Sequence, residues 1–220
     1  DTTPWSWSGL TVVQSEPDAI FLEYELEVEG REPQKDYLLF TLENGRWYRP
    51  YNWHILRETE AAFETNSADI ALVRAQEAVR LNPRDPMARG YLCEALYYRK
   101  ALKPLENECR TAIKLSRVYP SKLSARSLYH LHAILGDTFK NHLSRHEDAI
   151  AEYGIMLAFP KLSHEDQCEL RLARADSYGS LGKASESSAE LKLAAPLCEK
   201  PEDKKYIDFK LKELKTGDSP

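Results

Sequence analysis

The feature that most limits what this chain can fold into is a recurring cadence. The segments AQEAVRLNPRDP, ECRTAIKLSRVYP, EYGIMLAFP and ELKLAAPLCEKP each carry a small or apolar helical face and close at or just after a proline. Proline inside a helix removes a backbone hydrogen bond and clashes with the preceding turn, so it marks where each helix stops. Small residues let two antiparallel helices approach closely. After Pro50 the apolar spacing is that of a helix throughout, and the helices come in pairs. NWHILRETEAAFETN leads into ADIALVRAQEAVRLN, with Asn66 or Ser67 as its cap. PMARGYLCEALYYRKAL precedes PLENECRTAIKLSRVY, and SARSLYHLHAILGDTFKNHL precedes HEDAIAEYGIMLAF. HEDQCELRLARADSYGSLG and KASESSAELKLAAPLCE make a fourth pair, and PEDKKYIDFKLKELK is a solitary closing helix with a polar exterior.

Before Pro50 the period is two. In AIFLEYELEVEG, Ile20, Leu22, Tyr24, Leu26 and Val28 share one face, and Glu23, Glu25 and Glu27 follow Phe21 on the other. That is a strand with one wet side. Asn44-Gly45 suits a two-residue hairpin turn, because both residues tolerate positive φ. With LTVVQ upstream, residues 9–50 read as an antiparallel meander of three or four strands, which needs a cover for its apolar face. The expected class is α+β. A β-meander spans 1–51, three to four helical hairpins span 52–200, and a closing helix and tail span 201–220.

Ala78, Ala112, Met156 and Ala194 recur at separations of 34, 44 and 38 residues. The first separation equals the period of the tetratricopeptide repeat (TPR). Leu135-Gly136 with Phe139, then Ala149, Tyr153 and Pro160, follow that family's order with about one residue of slippage. Ala175, Tyr178, Gly182, Leu191 and Ala194 follow it too. Ala71, Ala78 and Pro83 match the second helix of the first unit, and Leu92, Cys93, Leu96 and Ala112 match the second unit. Residues 52–200 thus resemble a TPR array, although the first helix lacks Leu-Gly and no unit is complete. The resemblance implies an α-α superhelix whose first helices line a concave groove that binds peptides. Separately, YLLFTLENGRWYR resembles the closing strands of nuclear-transport-factor-like domains, over fewer residues and without the helices that precede them there.

Composition excludes some functions. Thirty basic against 35 acidic residues leave a net charge of −5, the wrong balance for a binder that neutralises phosphates, so no nucleic acid is expected. No apolar run is long enough to span a bilayer. The chain begins at Asp1 without methionine, which fits a trimmed form whose leader or anchor lay upstream. His130 and His132, two apart, face different sides of a helix, and His146 and His164 precede Glu-Asp as helix-entry residues. No zinc spacing, nucleophile elbow or phosphate-cradling loop occurs. Neither a metal nor a cofactor is expected, and the chain reads as non-catalytic.

The cysteines are ordered about the inter-helix turns. Cys93 and Cys109 flank Ala101 at 8 residues each, and Cys168 and Cys198 flank Lys183 at 15 each. Equal distance from a turn means equal height in an antiparallel hairpin, so each pair is a disulfide candidate. Two disulfides would favour an extracytoplasmic location, periplasmic or secreted, over a cytoplasmic one.

Placed in the TPR register, the groove carries Glu60, Glu94, Asp137 and Asp176. Tyr97 and Tyr98 lie one turn on, with Lys140 and Asn141 at the matching place in the third unit. An acidic row flanked by tyrosines suits a basic or amide-rich protein segment. The expected role is a protein-interaction scaffold, placed in a cell-envelope assembly if the disulfides form. The alternative is a small-molecule or enzymatic site where the sheet meets the first helices, among Trp47, Tyr48, Tyr51, Trp53 and His54.

Overall fold

The computed structural model describes residues 5–118 and 123–216. Four strands, β1 (Trp5–Glu16), β2 (Ala19–Val28), β3 (Gln34–Glu43) and β4 (Arg46–Tyr48), form one antiparallel sheet in sequential order. The expected meander is therefore present. Asn44 and Gly45 close β3 onto β4 with φ of 49° and 76°, the pair of left-handed residues that a two-residue hairpin requires. β1 slips against β2 between Ser8 and Thr11 and again between Val12 and Gln14, and Gly9 at φ 67° sits in the first slip. Both slips are bulges that place extra residues on the edge strand.

The sheet differs from its sequence pattern in one respect. Glu25 and Glu27 are exposed, as the alternation of β2 predicts, but Ala19 and Phe21 on that same face are buried. The apolar face of Ile20, Leu22, Leu26 and Val28 is only half-buried. On β1, Trp7 pairs with Leu26 and Val12 with Leu22, and both are open to solvent. Alternation identifies two faces; which one is covered depends on what packs against each end.

Nine α-helices follow: α1 (Trp53–Glu64), α2 (Ala68–Leu81), α3 (Pro86–Tyr98), α4 (Leu102–Val118), α5 (Ala125–Asp137), α6 (His146–Leu157), α7 (His164–Ser180), α8 (Ala184–Ala194) and α9 (Pro201–Thr216), all counted among the described residues. The four hairpins and the closing helix match the periodicity. The residues that carry the repeat register are in the core: Ala71, Ala78, Leu92, Cys93, Leu96, Ala112, Ala149, Met156, Ala175 and Ala194 are all buried. At Gly136 the reason for a small residue is explicit. A Cβ there would stand 2.6 Å from Cε1 of the buried Tyr153, so α5 and α6 pack at a distance only glycine allows.

The one-residue slippage in the third unit also has a physical cause. A π-helical turn, Thr138–His142, extends α5, and Leu143 N donates to Thr138 O at 3.1 Å. A π turn inserts one residue into a helix, and it displaces Ala149 and Tyr153 from the regular spacing. Each hairpin turn contains one left-handed residue: Asn66, Lys100, Ser144 and Gly182. Only the last is glycine, which is why the repeat signature reads as incomplete elsewhere.

The chain divides into two compact units, Asp1–Ala95 with Arg110–Ser124, and Leu96–Cys109 with Ala125–Pro220. In the first, Ile55, Leu56, Ala78 and Ala88 form a core under Met87 and Tyr91. Arg84, between α2 and α3, reaches the β1–β2 turn, where it binds Glu16 at 2.6 Å and Asp18 at 2.7 Å. In the second, Ile207 of α9 joins Cys168, Ala175, Leu191, Ala194 and Cys198 in one buried cluster. Glu190 of α8 there takes ion pairs from Arg171 and Arg174 of α7, at 3.1 and 3.0 Å.

Candidate partner-binding site

In the second unit the acidic positions on the first helices are tied to their neighbours. Tyr97, near the end of α3, donates to Asp137 at 2.6 Å, and Asn141 donates to the other oxygen of the same carboxylate. Lys140 donates to Asp176 on α7 at 3.0 Å, and Tyr206 of α9 donates to Asp176 as well. Each carboxylate therefore receives donors from adjacent helices and serves as a strut. Asp137 and Asp176 nonetheless keep 36% of their side-chain surface open, so acceptor lone pairs still face solvent.

The tyrosines are held protonated. The hydrogen bond to Asp137, with burial, pushes the Tyr97 phenol up to about 12. Burial, with its hydrogen bond to Asp176, raises Tyr206. Burial raises Tyr153 too, reinforced by the charges of Asp137 and Asp176. At neutral pH these phenols are donors and never anions. Tyr98 is exposed and meets the Tyr97 ring edge-on at 5.9 Å.

In the first unit, Glu60 pairs with Arg57 at 3.7 Å on the surface of α1. Burial, then the charges of Glu60 and Glu94, push Tyr91 up to about 12. Tyr91 and Tyr206 were not singled out by sequence reasoning. The signal for Tyr206 was the place of α9, which stands where a further first helix would begin: Tyr206 meets Asp176 from the following helix, while Lys140 meets it from the preceding one, as Tyr97 meets Asp137.

Of the aromatic residues expected at the junction of sheet and helices, Tyr51 and Trp53 line a cleft of about 370 Å³ in the first unit. Trp47, Tyr48 and His54 are not among its lining residues. His54 stacks on Tyr51 at 6.0 Å, and Arg57 lies 5.9 Å over the Trp53 ring.

Cys168 and Cys198 form a disulfide with Cα atoms 5.1 Å apart. Cys93 and Cys109 are likewise disulfide-bonded, and no cysteine is free. Among the described residues, the one group with metal-ligand proximity is Cys168, Cys198 and Asp203, whose two sulfurs are bonded to each other. His146 and His164 open α6 and α7, as expected of helix-entry residues. His132 is buried instead against Glu152 at 2.6 Å. Among the described residues no helix is long and apolar enough to cross a membrane.

Repeated helical hairpins, small residues where they cross and a closing helix define a TPR-like fold. No family pattern and no curated protein sequence matches the chain. Solved structures do, and RapI, MamA and PilF among them are TPR-repeat proteins. The apo form of RapI superposes with a TM-score of 0.58 at 16% identity, over 76% of this chain and 63% of that one. MamA from Desulfovibrio magneticus RS-1 gives 0.55 at 13% identity, over 76% and 97%. PilF of Pseudomonas aeruginosa gives 0.50 at 13%, over 76% and 68%. At these identities the likeness is one of fold.

Proposed function

We propose that this chain is a non-catalytic scaffold that holds a segment of a protein partner against the first helices of its second unit. One observation carries the reading. Asp137 and Asp176 are fixed by donors from neighbouring helices, yet a third of each side chain remains open. Acceptors fixed in advance lose little freedom on binding. Tyr98 and Asn141, both exposed, add an aromatic surface and an amide beside them. Such a surface fits a partner segment rich in amide or basic donors. Glu60 and Glu94 carry the same chemistry in the first unit. A location outside the cytoplasm, in a cell-envelope assembly, is supported by the disulfides. It is also supported by the likeness in fold to PilW, described as a type IV pilus biogenesis factor.

The test replaces Tyr98 by a photo-reactive residue in producing cells and identifies what it captures. A single dominant protein is expected. Its affinity for the purified chain should fall about tenfold or more in Y98A/N141A, the usual scale for exposed anchor residues. Absence of a specific cross-link, or unchanged affinity in the double variant, would remove the proposal.

A further inference from the structure

The cleft of the first unit contains two polar groups without a structural task. Its other charges are satisfied. Arg84 is paired with Glu16 and Asp18. Asp85 accepts from Asn52 Nδ2 at 3.0 Å and from the backbone N–H of Met87 at 2.9 Å. Asp36 accepts from Tyr24. Arg49 and Asn82 are different. Among the described residues the exposed guanidinium of Arg49 has neither a hydrogen-bond nor an ion-pair partner. Asn82 is 7% exposed, and its Oδ1 is shut from solvent with no partner. Buried acceptors are nearly always paired, so an orphan at the wall of a cleft marks a place where a donor belongs.

The rest of the lining is apolar or aromatic. Phe21 and Leu39 come from the sheet, and Tyr51 and Trp53 from the entry to α1. The volume, about 370 Å³, is that of a small-ligand cleft. We infer that this cleft binds a carboxylate joined to an apolar side chain and an N–H donor, the chemistry of an N-acylated apolar amino acid. Arg49 takes the carboxylate through its paired N–H groups, which match two oxygens. On ligand entry the Asn82 amide turns toward the cleft it lines, and its Oδ1, orphaned at rest, accepts the N–H. The side chain lies on Phe21 and Leu39, flanked by the two aromatic rings. Two sources share this chemistry: a free small acid, and the C-terminal residue of a polypeptide.

Calorimetry with the purified chain tests it, using N-acetyl-L-phenylalanine and its C-terminal amide. Saturable binding of the acid is expected, with the amide weaker by about tenfold or more, the usual worth of a charge-assisted hydrogen bond. R49Q, a change at an exposed position, should bring the acid down to the level of the amide. N82A should weaken both; should its melting curve show that it fails to fold, the acid–amide contrast and R49Q decide. A hexapeptide ending in phenylalanine assigns the source. Tighter binding than the blocked amino acid points to a polypeptide end, and equal or weaker binding to a free acid. The inference is overturned if the acid shows no saturation up to about 10 mM, the weak limit of specific recognition. It is overturned equally if acid and amide bind alike, or if R49Q binds the acid as well as the parent chain.

Discussion

The sheet and the helices α5–α9 are built on opposite logics. In the helical segment each sequence mark has one geometric meaning. Gly136 lies where α5 and α6 nearly touch, and Ala149, Ala175 and Ala194 are fully buried or nearly so. In the sheet the stronger hydrophobic pattern lies on the less buried face, and the buried anchor is a single phenylalanine on the face of the glutamates. A repeat array satisfies its pattern by stacking on its own neighbours. A four-stranded sheet has two faces and no repeat to choose between them, so its packing depends on residues remote in sequence.

The largest test of this contrast is Phe21→Ala. Phe21 is 3% exposed, and removing it should cost about 3–5 kcal/mol in chemical denaturation, the usual cost of a truncated core aromatic. Leu22→Ala, on the half-buried face, should cost less than half as much. If Leu22 proves the costlier, the assignment of the covered face is wrong. On the helical side, replacing Cys168 and Cys198 by alanine opens a link across 30 residues and should cost about 3–4 kcal/mol from loop entropy. An unchanged melting temperature under reductant would show that this cross-link does not support the closing helix.

Gly136→Ala comes next. Its new methyl meets the ring of Tyr153, which is itself buried and has little room to retreat. The expected loss is about 1–3 kcal/mol, despite alanine being the better helix former. A stabilised variant would mean that α5 and α6 are less tightly apposed than the geometry indicates.

How much was legible before the structure follows the same division. The four hairpins, the closing helix, the Asn44-Gly45 turn and both cysteine pairs rest on local spacing, and local spacing survives into the fold. The row of Tyr97, Asp137 and Asp176 was legible as a set of positions but not as a set of bonds. Their mutual hydrogen bonds, and the arrival of Tyr206, depend on how far adjacent helices stand apart. Asn82 was read only as the end of a helix, because an orphaned acceptor is a property of its surroundings. The missing turn glycines obscured the repeat because Asn66, Lys100 and Ser144 adopt left-handed φ without the residue that usually announces it. Ser144→Gly should therefore stabilise the chain by about 0.5 kcal/mol, relief of the left-handed conformation being partly offset by a freer unfolded chain. A loss measured by thermal melting would show that the Ser144 side chain contributes more than its backbone costs.

The smallest expected effect is also the one most able to disturb the comparison. Val12 is 62% exposed on β1, opposite Leu22, on the face that the alternation marks as apolar. Exchange of an exposed valine for threonine keeps the β-branched shape and the strand preference, so Val12→Thr should change stability by less than about 0.5 kcal/mol. That expectation holds only if the face is bare in solution. A loss beyond 1 kcal/mol, on the scale of a buried polar group, would mean that Val12 is covered in the folded protein. A concentration-dependent melting temperature would name the cover as another copy of the chain. Either result would give the sheet a second buried face and remove the asymmetry that separates it from the helices.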